Sequence, residues 1–339
     1  MKTEQVSDID TRSIAFLGGV DDQVTFPVRS DIAQGESGQG YALRMAVANG
    51  IAGLPALKSW RGKSRFAVLD SDDTIALANW FGAEPRRLSQ ALGELSLKGA
   101  SSGYRFGGAT LDRSYFVNRA YPRVCPECLE ESHVCMQSWE VSVTAACHRH
   151  KTALIDHCIA CNRRLTWNRP AIDACKCGQR LCLAPGRSGP TSLELEVAAW
   201  TEARILGDEV VRGSHALSRL ISPLTLNGGL HLIFALGTAE KYDSDGQGRA
   251  VRNRSSLAFT KQMLADASQL LEKLESGTSV ELGISVPSVV LRLLAEVATS
   301  DASPEDRSLS HSLINVLLKM KARSRSSSVL PQLAQIELF

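Results

Sequence analysis

The chain has 339 residues, of which 44% are hydrophobic and 22% charged, and its formal net charge is +2. This is ordinary globular composition, enough for two or three domains with buried cores, and not the strongly basic balance that advertises broad nucleic-acid affinity. No apolar run approaches the ~20 residues that span a bilayer, and MKTEQVSDIDTR lacks the apolar centre of a signal peptide, so a cytoplasmic protein without membrane contact is expected.

Residues 1–12 are polar and read as disordered, and Ile14–Leu17 reads as a short strand closed by Gly18-Gly19. Val24–Val28, with Pro27 inside it, leads into a helix from about Glu36 to Asn49. Tyr41, Met45 and Ala48 share one face of that helix, Leu43, Val47 and Ile51 share the next, and Gly50 suits its C-terminal cap. Gly38 and Gly40 are expected to weaken its first turn.

Asp72 or Asp73 can cap a helix running through Trp80, with Ile75, Leu77, Ala78 and Phe81 turned to the core. Gly82 makes a turn, and Pro85 suits the first turn of a second helix carrying Leu88, Ala91 and Leu92. The pair reads as a helix-turn-helix. Arg86 and Arg87 then stand where a DNA-reading helix meets bases or phosphates, although such a hairpin serves protein contacts as well. Gly99–Gly108, rich in Gly and Ser, reads as a loop.

From Cys125 to Cys177 the chain concentrates metal-ligand chemistry. Cys125-x-x-Cys128, Cys147-x-x-His150, Cys158-x-x-Cys161 and Cys175-x-Cys177 are four ligand pairs within 53 residues. A short Cys-x-x-Cys turn delivers two thiolates to one tetrahedral zinc without strain. The intervals of 18 residues (129–146) and 13 residues (162–174) suit closure of each site by a second pair. Site one is therefore Cys125, Cys128, Cys147 and His150; site two is Cys158, Cys161, Cys175 and Cys177. His148 in place of His150, and a cross-braced pairing of the first and third pairs, stay open, with sequential pairing preferred because it closes shorter loops. Both sites are filled by protein donors and are structural zinc sites rather than hydrolytic ones. Seven thiolates and two zinc ions bring the charge near −1. Nine cysteines, seven of them in these pairs, point to a reducing compartment.

Trp139–Val143 and Leu165–Trp167 alternate like short strands, so the module reads as tandem zinc ribbons with Trp139 and Trp167 as their small cores. Arg163, Arg164 and Arg169 are its candidate nucleic-acid or partner contacts. Cys182 reads as a small buried hydrophobe; Cys135, His133 and His157 have no assigned role. Ala184–Pro190 reads as a linker. Helices are then expected over 193–206, 215–236, 258–275, 287–298 and 305–322, with Leu264, Leu270, Leu271 and Leu274, and again Leu313, Val316, Leu317 and Met320, at helical spacing. Lys241–Ser256 reads as a surface loop, and Lys319, Lys321, Arg323 and Arg325 as a cationic helix end.

The expected fold is mainly α with small β zinc ribbons. It comprises an N-terminal helix-turn-helix domain (1–118), a tandem zinc-ribbon module (119–187) and a C-terminal helical domain (188–339).

Tyr121-Pro-Arg-Val-Cys125-Pro-Glu-Cys128-Leu129, Trp139, Cys147-x-x-His150, Leu154, Cys158-x-x-Cys161 and Cys175-x-Cys177-Gly178-x-x-Leu181 resemble the TniQ family, which includes TnsD-type target-selection proteins of bacterial transposons. Pro27, Glu36-Ser37, Arg44-x-Ala46 and Asn49-Gly50 resemble the opening of the same family, in which a Glu-Ser pair starts the first helix; the glycines at 38 and 40 depart from it. The resemblance implies a non-catalytic adaptor. It would recognise target DNA, or a targeting complex such as a CRISPR effector, and recruit an AAA+ ATPase of the TniB or TnsC type that brings the transposase. Some members form homodimers. An autonomous helix-turn-helix and zinc DNA-binding regulator is the alternative. An enzyme is disfavoured by the lack of a phosphate-binding Gly loop, a His-Glu-x-x-His or an open metal site.

Overall fold

The computed structural model describes residues 22–98, 101–183, 189–238, 256–275, 288–299 and 303–323. The readings of 1–12, Ile14–Leu17, residues 184–188 and 241–255, and Arg325 lie outside them, as do the side chains of Leu274, Met320, Lys321 and Arg323.

Helix α1 (Gly38–Ala48) is opened by Ser37, whose Oγ accepts from the Gly40 amide at 3.1 Å. Glu36 lies just outside the helix, buried, with both oxygens held by Arg44 at 2.8 and 2.9 Å. The two glycines have a tertiary reason. A Cβ on Gly38 would stand 2.7 Å from the Leu92 backbone nitrogen, and one on Gly40 would stand 3.1 Å from Cys135 Cβ. Close approach of the Leu92 backbone at Gly38 and of the Cys135 side chain at Gly40, not weakness of the helix, decides these positions. Ala48 and Val47 are exposed, so the inward face is narrower than the spacing suggested.

Helix α2 (Gly53–Trp60) and a 3₁₀ turn (Ser71–Asp73) lead to α3 (Thr74–Phe81) and α4 (Pro85–Leu92). Two of the signals agree with the sequence reading: Gly82 takes a left-handed φ of 84°, and Pro85 opens α4. The Asp73 carboxylate does not cap α3; it accepts from the Asp70 amide and from Lys63. Ile75 is corrected: it is 59% exposed, because the buried face of α3 is set by Leu77, Ala78, Trp80 and Phe81.

The supposed loop 99–108 is also corrected. β1 (Glu94–Lys98), β2 (Ser101–Phe106) and β3 (Ala109–Leu111) form an antiparallel meander in that order, with Leu95 opposite Tyr104 and Tyr104 opposite Leu111. Gly103 reads as a loop residue in sequence, yet a Cβ there would stand 2.1 Å from the Leu111 carbonyl oxygen. The glycine serves close strand packing.

Beyond the meander come a 3₁₀ turn (Ser114–Phe116), α5 (Pro126–Glu131), a 3₁₀ turn (Gln137–Glu140), and the two-residue strands β4 (Ala146–Cys147) and β5 (Thr152–Ala153). Trp139–Val143 is not a strand. Every residue of it is buried, since Trp139 enters one core while Val141 and Val143 enter another. A ribbon strand would leave one face to water. Leu165–Trp167 likewise lacks a strand partner; pairing there is limited to the isolated bridge between His157 and Arg164.

The C-terminal helices are α6 (Ser192–Leu206), α7 (Ala216–Ile221), α8 (Leu226–Gly237), α9 (Leu257–Glu275), α10 (Ser288–Thr299) and α11 (Pro304–Arg323). The helix expected over 215–236 is broken at 222–225. Pro223 lies there, and Thr225 starts a new helix while its amide donates to Asp306 at 3.0 Å. Val316 is corrected to an exposed position at 43%.

Two cores result. Tyr41, Leu54, Leu57, Leu77, Trp80, Phe81 and Leu92 are continuous with Leu129, Trp139, Leu154, Trp167 and Leu181. Phe106, Phe116, Val141 and Val143 pack with the C-terminal helices. Trp139 and Trp167 thus belong to a core shared with the N-terminal helices rather than to small cores of their own. No helix among the described residues is long and apolar enough to cross a membrane.

Candidate metal centres

Extended backbone at Cys125 and Pro126 at the first position of α5 turn the chain so that Cys128 faces Cys125 from the first helical turn. Cys147 ends β4, and the turn to β5 brings His150 back, with Lys151 at φ 54°. His150 Nδ1 lies 3.5, 3.2 and 3.7 Å from the sulfurs of Cys125, Cys128 and Cys147, and the Cys128 and Cys147 sulfurs are 3.8 Å apart. In the second cluster the Cys158 and Cys177 sulfurs are 3.6 Å apart, and those of Cys161 and Cys175 3.8 Å. Within each cluster all four donor atoms lie within 4.8 Å of one another.

Those separations distinguish the chemistry. A disulfide needs ~2.0 Å. Ligands at ~2.3 Å (sulfur) and ~2.0 Å (nitrogen) from a central tetrahedral ion are about 3.5–3.8 Å apart. The donor sets therefore fit a metal ion, and each could hold one. The backbone supports this: the amides of Arg149 and His150 point at the Cys147 sulfur, and those of Ala160 and Cys161 at the Cys158 sulfur. Such N–H···S bonds stabilise thiolates.

Of the alternatives left open, geometry brings together the sequential pairs and His150. His150 Nε2 meets Glu131 at 2.9 Å, a carboxylate that orients the ring and leaves Nδ1 toward the sulfurs. His148 turns away, its Nδ1 3.4 Å from Glu202.

Both knuckles are tied to the C-terminal helices. Arg149 holds Glu202 of α6 through Nη2 at 2.6 Å and Nε at 3.1 Å. Asp156, two residues before Cys158, accepts from the Leu257 amide at 2.9 Å and so caps α9 from 101 residues away in sequence. Arg123, buried just before Cys125, donates to the carbonyls of Val141, Ser142 and Thr144 at 3.2, 3.2 and 2.6 Å and to Thr260 Oγ1 at 3.0 Å. Burial pushes its guanidinium down to about 10, against the favourable field of Asp156. Sequence reasoning missed Glu131, Glu202, Asp156 and Arg123, since nothing local marks a partner so far along the chain.

The five candidate contact arginines separate. Arg86 is exposed at the start of α4. Arg87 is exposed but engaged by Asp31 and, at 3.8 Å, by Glu84, whose carboxylate also accepts from the amides of both arginines. Those amide bonds hold the Glu84 carboxyl below its ordinary range. Arg163 is exposed, and Arg164 lies 4.0 Å over the Tyr121 ring. Arg169 is buried, donating to the carbonyls of Ala171 and Ile172 at 3.2 and 2.9 Å, and so has no surface to offer a partner. Cys135 is buried beside it, while Cys182 is only half-buried, short of the buried hydrophobe expected.

The fold and donor sets define a mainly helical protein with two four-donor Cys/His clusters built into its packing. Residues 27–154 match the family model TniQ, and the chain carries a TniQ domain that spans the N-terminal helices and the whole first cluster. Comparison with curated proteins finds no match.

Proposed function

We propose that this chain is a non-catalytic transposition adaptor that selects a target and recruits an AAA+ ATPase of the TniB or TnsC type, which brings the transposase. The observation that carries the reading is the TniQ match over residues 27–154. Supporting it, each cluster supplies four protein donors, which leaves a tetrahedral ion no open position for hydrolytic water. We assign zinc to both clusters: three thiolates with one imidazole, and four thiolates, are its preferred structural donor sets.

In this reading α3 and α4 form a helix-turn-helix whose exposed Arg86 faces target DNA or a targeting complex. The clusters hold that unit against α6 and α9. A homodimer, or a CRISPR effector as the targeting partner, is compatible with this arrangement. The alternative, an autonomous DNA-binding regulator, draws on the same Arg86.

The test is reconstitution. The zinc-loaded chain should capture the AAA+ ATPase encoded with it and, with the transposase, direct insertion to one site. A chain that captures no such ATPase but protects a promoter-proximal sequence from nuclease would replace the adaptor with the regulator.

A further inference from the structure

The segment Arg61-Gly-Lys-Ser-Arg-Phe66 between α2 and α3 was not assigned a role by the sequence reading. Its first two cations are neutralised at home: Arg61 pairs with Asp22 and Asp73, and Lys63 with Asp70 and Asp73. Arg65 and Phe66 differ. Phe66 is 78% exposed, the Arg65 guanidinium lies 4.6 Å over its ring, and Arg65 forms no ion pair among the described residues. A lone exposed Phe needs no explanation. Here, however, the backbone that presents it is fixed. The Arg65 carbonyl accepts from Asn168 Nδ2 at 2.8 Å and from Lys58 Nζ at 3.4 Å, and Lys58 also donates to Asn168 Oδ1 at 3.1 Å.

Asn168 belongs to the loop of the second cluster, so that loop and the 61–66 segment form one surface. Four residues back, at most about 14 Å along the chain, is Arg164, stacked on half-exposed Tyr121. Arg163 beside it is exposed and also without an ion pair among the described residues. Two arginine-on-aromatic pairs and exposed Arg163 thus sit on two segments that meet at the Asn168–Arg65 hydrogen bond, and among the described residues no carboxylate pairs with Arg65 or Arg163.

We infer that this surface, centred on Arg65, Phe66 and Arg163, binds single-stranded nucleic acid. One face of the Phe66 ring is covered by Arg65, and the other is free to stack on a base. Duplex bases are already stacked and hide their faces, so the chemistry selects unpaired ones. The unmatched guanidinium groups meet the phosphates on either side. The inference deepens the adaptor reading and rests on it for the setting in which nucleic acid is met.

The test uses the full metal-loaded chain and fluorescence anisotropy with labelled oligo-deoxythymidine, oligo-uridine and a duplex. Both single strands should bind more tightly than the duplex; a preference between them identifies DNA or RNA as the natural source. Phe66→Ala should weaken binding about ten- to hundredfold. Arg65→Ala with Arg163→Ala should lower the slope of log affinity against log salt by about 1.4, near 0.7 for each phosphate contact. Metal content and melting of all variants should match wild type, since these side chains are exposed.

Wild-type protein that binds neither single strand, or Phe66→Ala that binds as wild type, overturns the inference. So does a Phe66→Ala variant that keeps oligonucleotide binding and loses ATPase capture, which would make the surface a protein anchor. If wild type binds single strands through Phe66 yet captures no ATPase, the adaptor reading fails and this one stands.

Discussion

Asp156 joins the second metal knuckle to the C-terminal helices, and removing it tests whether these parts form one cooperative unit. Its Oδ2 caps α9 through the Leu257 amide at 2.9 Å, its Oδ1 meets His157 Nδ1 at 2.8 Å, and its charge favours the buried Arg123 guanidinium. Asp156→Ala loses the cap, about 0.5–2 kcal/mol, and strips a buried cation of a nearby countercharge. Breaking a buried pair outright costs about 3–5 kcal/mol. Arg123 keeps its three carbonyl acceptors and Thr260, so the electrostatic loss should fall near the lower end. A total of about 3.5–5 kcal/mol is expected, or roughly 7–20 °C in Tm at about 2–4 °C per kcal/mol. Asp156→Asn retains an acceptor for the cap and should lose about half as much. The assay is thermal melting followed by circular dichroism, with metal content measured in parallel. Should Asp156→Ala melt within a degree of wild type with full metal, the knuckle does not brace α9 and the reasoning is wrong.

Cys125→Ser and Cys158→Ser should each lose one equivalent of zinc by elemental analysis and melt early; full zinc with wild-type melting in Cys158→Ser would remove the second site. Glu140 is fully buried against Ser37, and desolvation pushes its carboxyl up to about 7, above the ~4.3 of an unfolded Glu. The folded state therefore holds a proton that the unfolded chain has released between those values, so this contribution is complete below about pH 4 and is lost as pH rises toward 7. Glu140→Gln should flatten that fall and gain at most about 4 kcal/mol at pH 8; denaturant midpoints that track wild type at every pH would contradict the assignment. Gly38→Ala should cost about 2 kcal/mol or more, because its Cβ would press on the Leu92 backbone at 2.7 Å. Arg86→Ala, by contrast, should stay within about 0.5 kcal/mol of wild type in denaturant melts, and a larger loss would show that Arg86 has a structural role.

The ligand set was legible because metal chemistry is local: a knuckle places both donors within a few residues, and spacing carries the signal. Caps and breakers were equally local, as Gly82 and Pro85 show. Periodicity failed where burial is two-sided. Trp139–Val143 alternates in sequence, but Trp139 enters one core, Val141 and Val143 enter the other, and Glu140 and Ser142 between them are buried as well, so no face meets water and no strand is required. Composition failed at Gly38, Gly40 and Gly103, where a missing Cβ reflects a neighbour that sequence cannot name.

By itself the sequence determined the helices with strong punctuation, the eight clustered donors and the likeness at the Glu36-Ser37 opening, all consequences of contacts within a few residues. Tertiary structure alone decided that Arg169 is interior while Arg65 and Phe66 are not, and that Glu202, Asp156 and Thr260 bind the knuckles to helices far along the chain. The physical reason is that a buried polar group must find its partner wherever the packing places one, and the distance to that partner along the chain leaves no local trace.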